Sequence, residues 1–154
     1  MTKKRSAEIG ILGENLVAQW LQGQGWQIIA QRWRCQHGEI DLIAQQGDRL
    51  LTFVEVKTRN SRNWDADGLL AISASKQIRL WQAAQLFLAT HPELDNFLYR
   101  FDVALVRYQG DCLILPADRL PIDEKIVLGQ AIALTGYQLS LQAYMESAFD
   151  NIEA

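Results

Sequence analysis

The chain has 154 residues, 49% of them hydrophobic and 21% charged, enough for one domain with a proper core and too few for two comfortable ones. A net charge of −3 speaks against a protein that coats nucleic acid through charge alone. No apolar run approaches the roughly 18 residues of a membrane span, MTKKRSAEIG has no apolar stretch of a leader after it, and Cys35 and Cys112 show neither metal-ligand spacing nor a disulfide framework, so the expectation is a cytoplasmic protein with reduced thiols and no membrane contact.

Ser6 predicts the N-cap of a helix reaching about residue 22, which Gly23 and Gly25 end. At about 100° per residue, Glu14 falls on the face of Ile11, Ala18 and Leu21. A carboxylate there reaches either water at the boundary or a site formed with whatever the helix packs against. The second is the better reading, because the next elements carry further acids. Gly10 and Gly13 each weaken the helix by up to about 1 kcal/mol relative to Ala, which predicts a close backbone approach to a neighbour. WQIIAQRW, residues 26–33, reads as a strand or extended segment, with its tryptophans in the core or at its boundary.

Residues 38–59, GEIDLIAQQGDRLLTFVEVKTR, read as a β-hairpin. Ile40, Leu42 and Ala44 should point one way and Glu39, Asp41 and Ile43 the other, while Val54 and Val56 alternate with Phe53, Glu55 and Lys57. A three-residue loop at 47–49 pairs Gln46 with Leu50 and sets Asp41 directly opposite Glu55, with Cβ atoms roughly 4.5–5.5 Å apart. Like charges so placed destabilise a sheet unless a hard divalent cation such as Mg²⁺ or Mn²⁺ lies between them. On an open surface the same residues would form weak pairs worth about 0–1 kcal/mol. Ile43 and Phe53 on the same face argue for burial, where an acidic pair with Lys57 beside it needs a task. Residues 1–62 carry nine Lys or Arg against six Asp or Glu, and the remainder six against twelve. Arg32, Arg34, Arg59 and Arg62 surround the hairpin with Lys57, where the phosphates of a nucleic acid would approach.

The polar stretch after Arg59 reads as a loop, with Trp64 a candidate contact for nucleic acid. Ser73 or Ser75 caps a second helix over about 74–90, closed by His91-Pro92, with Leu80, Trp81, Ala84, Phe87 and Leu88 as its apolar stripe. Lys76 stands in the first turn, where the macrodipole disfavours a cation, and so either is accidental or reaches into an anionic site. A strand at 97–107, a turn at 108–111 and a further run at 112–115 follow. Asp102, a lone acid in that strand, is read as a structural partner of Arg100 or Arg107. Residues 116–138 read as an insertion and 139–149 as a C-terminal helix. The order helix, hairpin, helix, strand predicts one α/β domain over 1–154, its core at about 7–115: a small mixed sheet with helices on both faces and the Glu14 helix near the hairpin.

Asp41, then Glu55-Val56-Lys57, with Glu14 on the preceding helix, resemble the PD-(D/E)xK nuclease pattern. Gly13-Glu14, Arg34, Gly38-Glu39-Ile40-Asp41-Leu42-Ile43, Phe53-Val54-Glu55-Val56-Lys57-Thr58-Arg59, Lys76-Gln77 and Arg100-Phe101-Asp102-Val103 together resemble the YraN family, bacterial proteins regarded as endonucleases and distantly similar to archaeal Holliday-junction resolvases. The likeness spans about residues 7–106. It implies a restriction-endonuclease-like core and a Mg²⁺- or Mn²⁺-dependent endonuclease acting on DNA, with Asp41, Glu55 and Glu14 as metal ligands, Lys57 as the fourth catalytic residue, and Lys76 and Gln77 as auxiliaries. Similarity to the resolvases implies branched or structured DNA and a homodimer. Two rivals remain: a nucleic-acid-binding or adaptor protein with an inert site, against which the intact acids and Lys57 count, and a metal-dependent hydrolase of another substrate class, against which the basic surround counts.

Overall fold

The alternating runs on either side of Gly47 do form a hairpin, and a third strand precedes it. In the computed structural model, which describes residues 3–60, 70–110, 125–134 and 136–149, α1 (Lys3–Gly23) leads into β1 (Gln27–Cys35), β2 (Gly38–Gln46) and β3 (Leu50–Asn60). Then come α2 (Ala74–Ala89), a short 3₁₀ turn at Pro92–Leu94, β4 (Leu98–Gly110), β5 (Ile132–Leu134) and β6 (Tyr137–Phe149). The described strands make one sheet in the order β1-β2-β3-β4-β6-β5. Neighbours are antiparallel except β3 and β4, which run parallel and are joined through α2, as a parallel pair requires. This is the mixed α/β arrangement the element order predicts.

The central strands are apolar on both faces because each face is covered. On one side Leu12, Leu16, Val17 and Leu21 of α1 pack with Leu42, Val54, Ala104 and Val106. On the other, Leu80, Ala84 and Phe87 of α2 pack with Ile43, Phe53 and Phe101. Ser73 is the cap of α2, its Oγ accepting from Lys76 N at 3.3 Å. Helix α1 begins at Lys3, so Ser6 lies inside it and is not its cap. The Lys and Arg residues before Ser6 have good helical propensity and let the helix start a turn earlier. Among the described residues no helix is long and apolar enough to cross a membrane.

The expected helix at 139–149 is a strand. Ala, Met, Gln and Glu favour helix locally, but β4 offers an edge to pair, and Tyr137, Leu139 and Leu141 are buried against the α1 side. Tertiary pairing overrides propensity here. Tyr108 is likewise no turn residue, since β4 continues to Gly110 and pairs Tyr108 with Leu139. The expected insertion at 116–138 contributes Ile126 and Ile132 to the core from its described part. The run at 112–115, Trp64, Arg62 and residues 116–124 lie outside the described residues.

Asp102 is 1% exposed, and β6 explains how that is sustained. Its carboxylate accepts from Arg100 Nε at 3.0 and 3.1 Å, from Tyr144 Oη at 2.6 Å and from the backbone N of Ser147 at 2.9 Å. Burial, followed by the neighbouring Asp102 charge, raises the pKa of Tyr144 and keeps its hydroxyl a donor. The structural partner of Asp102 is thus Arg100.

Candidate active site

Strands β2 and β3 pair from Gln46↔Leu50 to Leu42↔Val54, the register expected from the loop. There the ladder stops, one pair short of Asp41 and Glu55. Asp41 turns its carboxylate into the opening, and its Oδ2 accepts from Val56 N at 2.8 Å. Strict alternation fails at the same point. Leu42 and Ala44 join the core under α1, whereas Ile40 and Ile43 both join the core under α2. Asp41 therefore parts from the side of Ile43 and meets Glu14 and Glu39, correcting the expectation that it stands directly across from Glu55 on one regular face. The strand on the other side is irregular at the same level. Arg32, across from Asp41 between the pairs Gln31↔Leu42 and Trp33↔Ile40, has φ 53°, a left-handed conformation costing a non-glycine residue about 1–2 kcal/mol.

Helix α1 brings Glu14 here because Gly13 lies against β3. A Cβ at Gly13 would collide with the Thr58 hydroxyl and sit 3.1 Å from Thr58 Cβ. The predicted close approach is thus found at Gly13; at Gly10 a Cβ would meet nothing within 4 Å.

Glu14, Glu39 and Asp41 each present a carboxylate oxygen such that the three lie within 4.8 Å of one another, a set that could hold a metal ion. Burial first, and then the charge of Glu55, pushes the Asp41 pKa from 3.8 up to about 8. Burial likewise pushes Glu14 up to about 7, with Arg32 opposing and Glu39 adding to the rise. Arg32 Nε lies 3.8 Å from Glu14 and 3.7 Å from Glu39, counter-charge without a hydrogen bond. Glu55 comes from the α2 side, with Oε1 3.6 Å from Lys76 Nζ. Its Oε2 is buried and, among the described residues, has no hydrogen-bond partner. Partly buried acids, one buried Glu55 oxygen without a partner among the described residues and two elevated pKa values form a donor set that fits a hard divalent cation.

Lys57 donates its ammonium to the carbonyl of Ala71, just before α2. Burial, then Arg59, lowers its pKa. Gln77 ties the same loop through Nε2 to the Ile72 carbonyl at 2.9 Å. Arg34 donates to Glu39 Oε2 at 2.8 Å, and Arg59 donates to its neighbour's carbonyl at Thr58. The structure thus gathers Glu14, Asp41, Glu55, Lys76 and Arg32 at the opening, with Lys57 and Gln77 bracing the segment before α2. Arg34 is exposed beside Glu39 of the cluster, and Arg59 is exposed at the end of β3. Glu39 was not among the residues expected as ligands, although its spacing of two from Asp41 is the signal that put both on one face.

Fold and site define a mixed α/β protein with a cluster of partly buried oxygen donors where a β-hairpin splays beneath its first helix. The chain belongs to the family described as "Uncharacterised protein family UPF0102", the YraN family, which matches residues 13–106. A UPF0102 protein of Trichodesmium erythraeum is 45% identical over 92% of this chain and 88% of its own length. Those of Acaryochloris marina and of Synechocystis are 44% and 43% identical, covering 96% and 92% of this chain and 92% and 97% of their own lengths.

Proposed function

We propose that this protein is a Mg²⁺- or Mn²⁺-dependent endonuclease that hydrolyses phosphodiester bonds in DNA, with branched or otherwise structured DNA as substrate and a homodimer as the working form. Such an enzyme works in the cytoplasm. The observation that carries the reading is the convergence of Glu14, Glu39 and Asp41 on one point, beside a buried Glu55 oxygen that has no donor among the described residues. Asp41, Glu55 and Glu14 are the residues that would hold the cation, with Glu39 as a further oxygen. The bound ion supplies charge neutralisation at the phosphate and a more acidic water.

The chain's own groups divide the remaining work. Asp41 is held in place by Val56 N and offers a carboxylate oxygen to the cluster. Lys57, whose lowered pKa eases loss of its proton, orients the attacking water or stabilises charge building on the phosphate. Lys76 balances Glu55 from the α2 side. The decisive assay incubates purified protein with Mg²⁺ or Mn²⁺ and linear, flap and four-way DNA, beside Asp41→Ala. Cleavage by the wild type and none by the variant is expected. A wild type that cuts none of these substrates with either ion overturns the reading.

A further inference from the structure

Next to the acid cluster the surface holds a shallow hollow between the β1–β2 turn and α2, lined by His37, Gly38, Glu39, Lys76, Arg79 and Leu80. It shares Glu39 with the cluster and Lys76 with Glu55, so it opens onto the same site. Nitrogen-bearing side chains from two separate elements converge there. Lys76 and Arg79 are three residues apart on α2 and therefore neighbours on one face. Like charges at that spacing repel, and Lys76 stands in the first turn of the helix, where the macrodipole already disfavours a cation. The first turn of α2 contains no acid to offset them.

The one acid in the lining is already engaged. Glu39 Oε2 accepts from Arg34 Nε at 2.8 Å, and Oε1 lies 3.7 Å from Arg32. Arg79 is exposed and, among the described residues, has no ion-pair partner. Gly38, with φ 125°, sits where side chains are strained and leaves that wall bare. A guanidinium with no ion-pair partner among the described residues, a lysine and an imidazole around a glycine wall suit an anion with several acceptor oxygens.

We propose that this hollow is a second phosphate subsite, in which Arg79 and His37, with Lys76, hold a backbone phosphate flanking the bond to be cut. The assignment rests on the nuclease reading and names the side on which the DNA strand leaves the acid cluster. Contacts of this kind position the strand and carry no sequence information.

The test is fluorescence anisotropy with labelled duplex and four-way DNA in Ca²⁺ across a salt series, on wild type, Arg79→Ala, Arg79→Lys and Arg49→Ala. Arg49 is an exposed arginine at the opposite end of the hairpin and serves as control. Arg79→Ala should weaken binding alike on all sequences and lower the slope of log K against log salt by about 0.9, the share of one neutralised phosphate. Arg79→Lys should recover most of that slope, and Arg49→Ala should match wild type. All four should show the same Mn²⁺-induced thermal shift. An Arg79→Ala protein that binds with wild-type affinity and slope, while wild type cuts DNA, overturns the subsite and leaves the nuclease reading standing. A reduced Mn²⁺ shift in Arg79→Ala places the residue at the metal donors and overturns the subsite too. A wild type that neither binds nor cuts DNA ends both.

Discussion

Replacing Asp41 by asparagine should stabilise the protein in the absence of divalent cations and abolish the stability that such ions confer. The Asp41 pKa is raised in the folded state from 3.8 to about 8, by burial and then by Glu55. The folded chain therefore binds this proton more tightly than the unfolded chain. Its contribution to stability is complete below about pH 4 and is lost as the pH rises through about 8. At 1.36 kcal/mol per unit, that rise sets a ceiling of about 6 kcal/mol on what the ionised group costs in alkaline solution. The asparagine side chain keeps the shape and can still accept from Val56 N, but burying an amide costs about 1–3 kcal/mol. A net gain of at most about 3–5 kcal/mol remains, or roughly 6–20 °C in Tm at about 2–4 °C per kcal/mol. The assay is thermal unfolding in EDTA near pH 8 and near pH 4.5, repeated with Mn²⁺. Wild type should gain about 2.7 kcal/mol at a hundredfold excess of Mn²⁺ over Kd, and Asp41→Asn almost none. Equal destabilisation of Asp41→Asn at both pH values, with an unchanged Mn²⁺ shift, would refute the reasoning and make Asp41 a purely structural acceptor.

Gly13→Ala, which at an open helical position would gain up to about 1 kcal/mol, should instead lose about 1–3 kcal/mol in denaturant unfolding because its Cβ meets Thr58; Thr58→Ala should restore part of the loss. Tyr144→Phe leaves the buried Asp102 one donor short and should cost about 1–3 kcal/mol, read by the same method, with DNA cleavage at permissive temperature unchanged. Lys57→Ala should retain the Mn²⁺ affinity of wild type in calorimetry and lose cleavage. Lys57→Arg should not restore cleavage, since a guanidinium keeps its proton and differs in shape.

The parts of this fold that the sequence makes legible are those where local and tertiary preferences agree. Ser73 caps a helix whose apolar stripe faces the sheet, and a three-residue polar loop fixes the register of β2 and β3 as far as Leu42↔Val54. Where the two conflict, the reading fails. Residues 139–149 have helical propensity and strand partners, and the partners prevail because β4 would otherwise end the sheet with an unpaired edge. A clue lay elsewhere in the chain: Asp102, an acid in an apolar strand, needs donors, and Tyr144 and Ser147 N come from that same segment. At the site, period-two reasoning places Glu39 beside Asp41 but cannot reveal that the period breaks at Asp41. That break coincides with a left-handed Arg32 on the neighbouring strand, and nothing in the sequence RWR announces it.

The strained and repulsive features of this chain occur together. Arg32 takes a left-handed backbone, the β2–β3 ladder ends early, Gly13 gives up helical propensity for contact with Thr58, and carboxylates from α1, β2 and β3 are brought out of water together. Each feature alone weakens the fold. Each also moves an oxygen toward the same opening: Arg32 lets Asp41 leave the regular face, the lost pair frees Val56 N to hold it, and Gly13 lets Glu14 approach. A surface patch of acids would need none of these, since exposed carboxylates spread apart at little cost. Local strain persists where surrounding structure over-determines it, and here two packed cores, one on each face of the sheet, hold the opening from both sides. The cluster's repulsion is then relieved by protons or by cations, and the two must compete. Mn²⁺ affinity should accordingly rise with pH up to about 8, as the ion displaces protons from Asp41 and Glu14. Calorimetric titrations in buffers of different ionisation enthalpy would count the protons released. A Mn²⁺ affinity independent of pH, with no proton release near pH 6, would mean that the ion binds elsewhere.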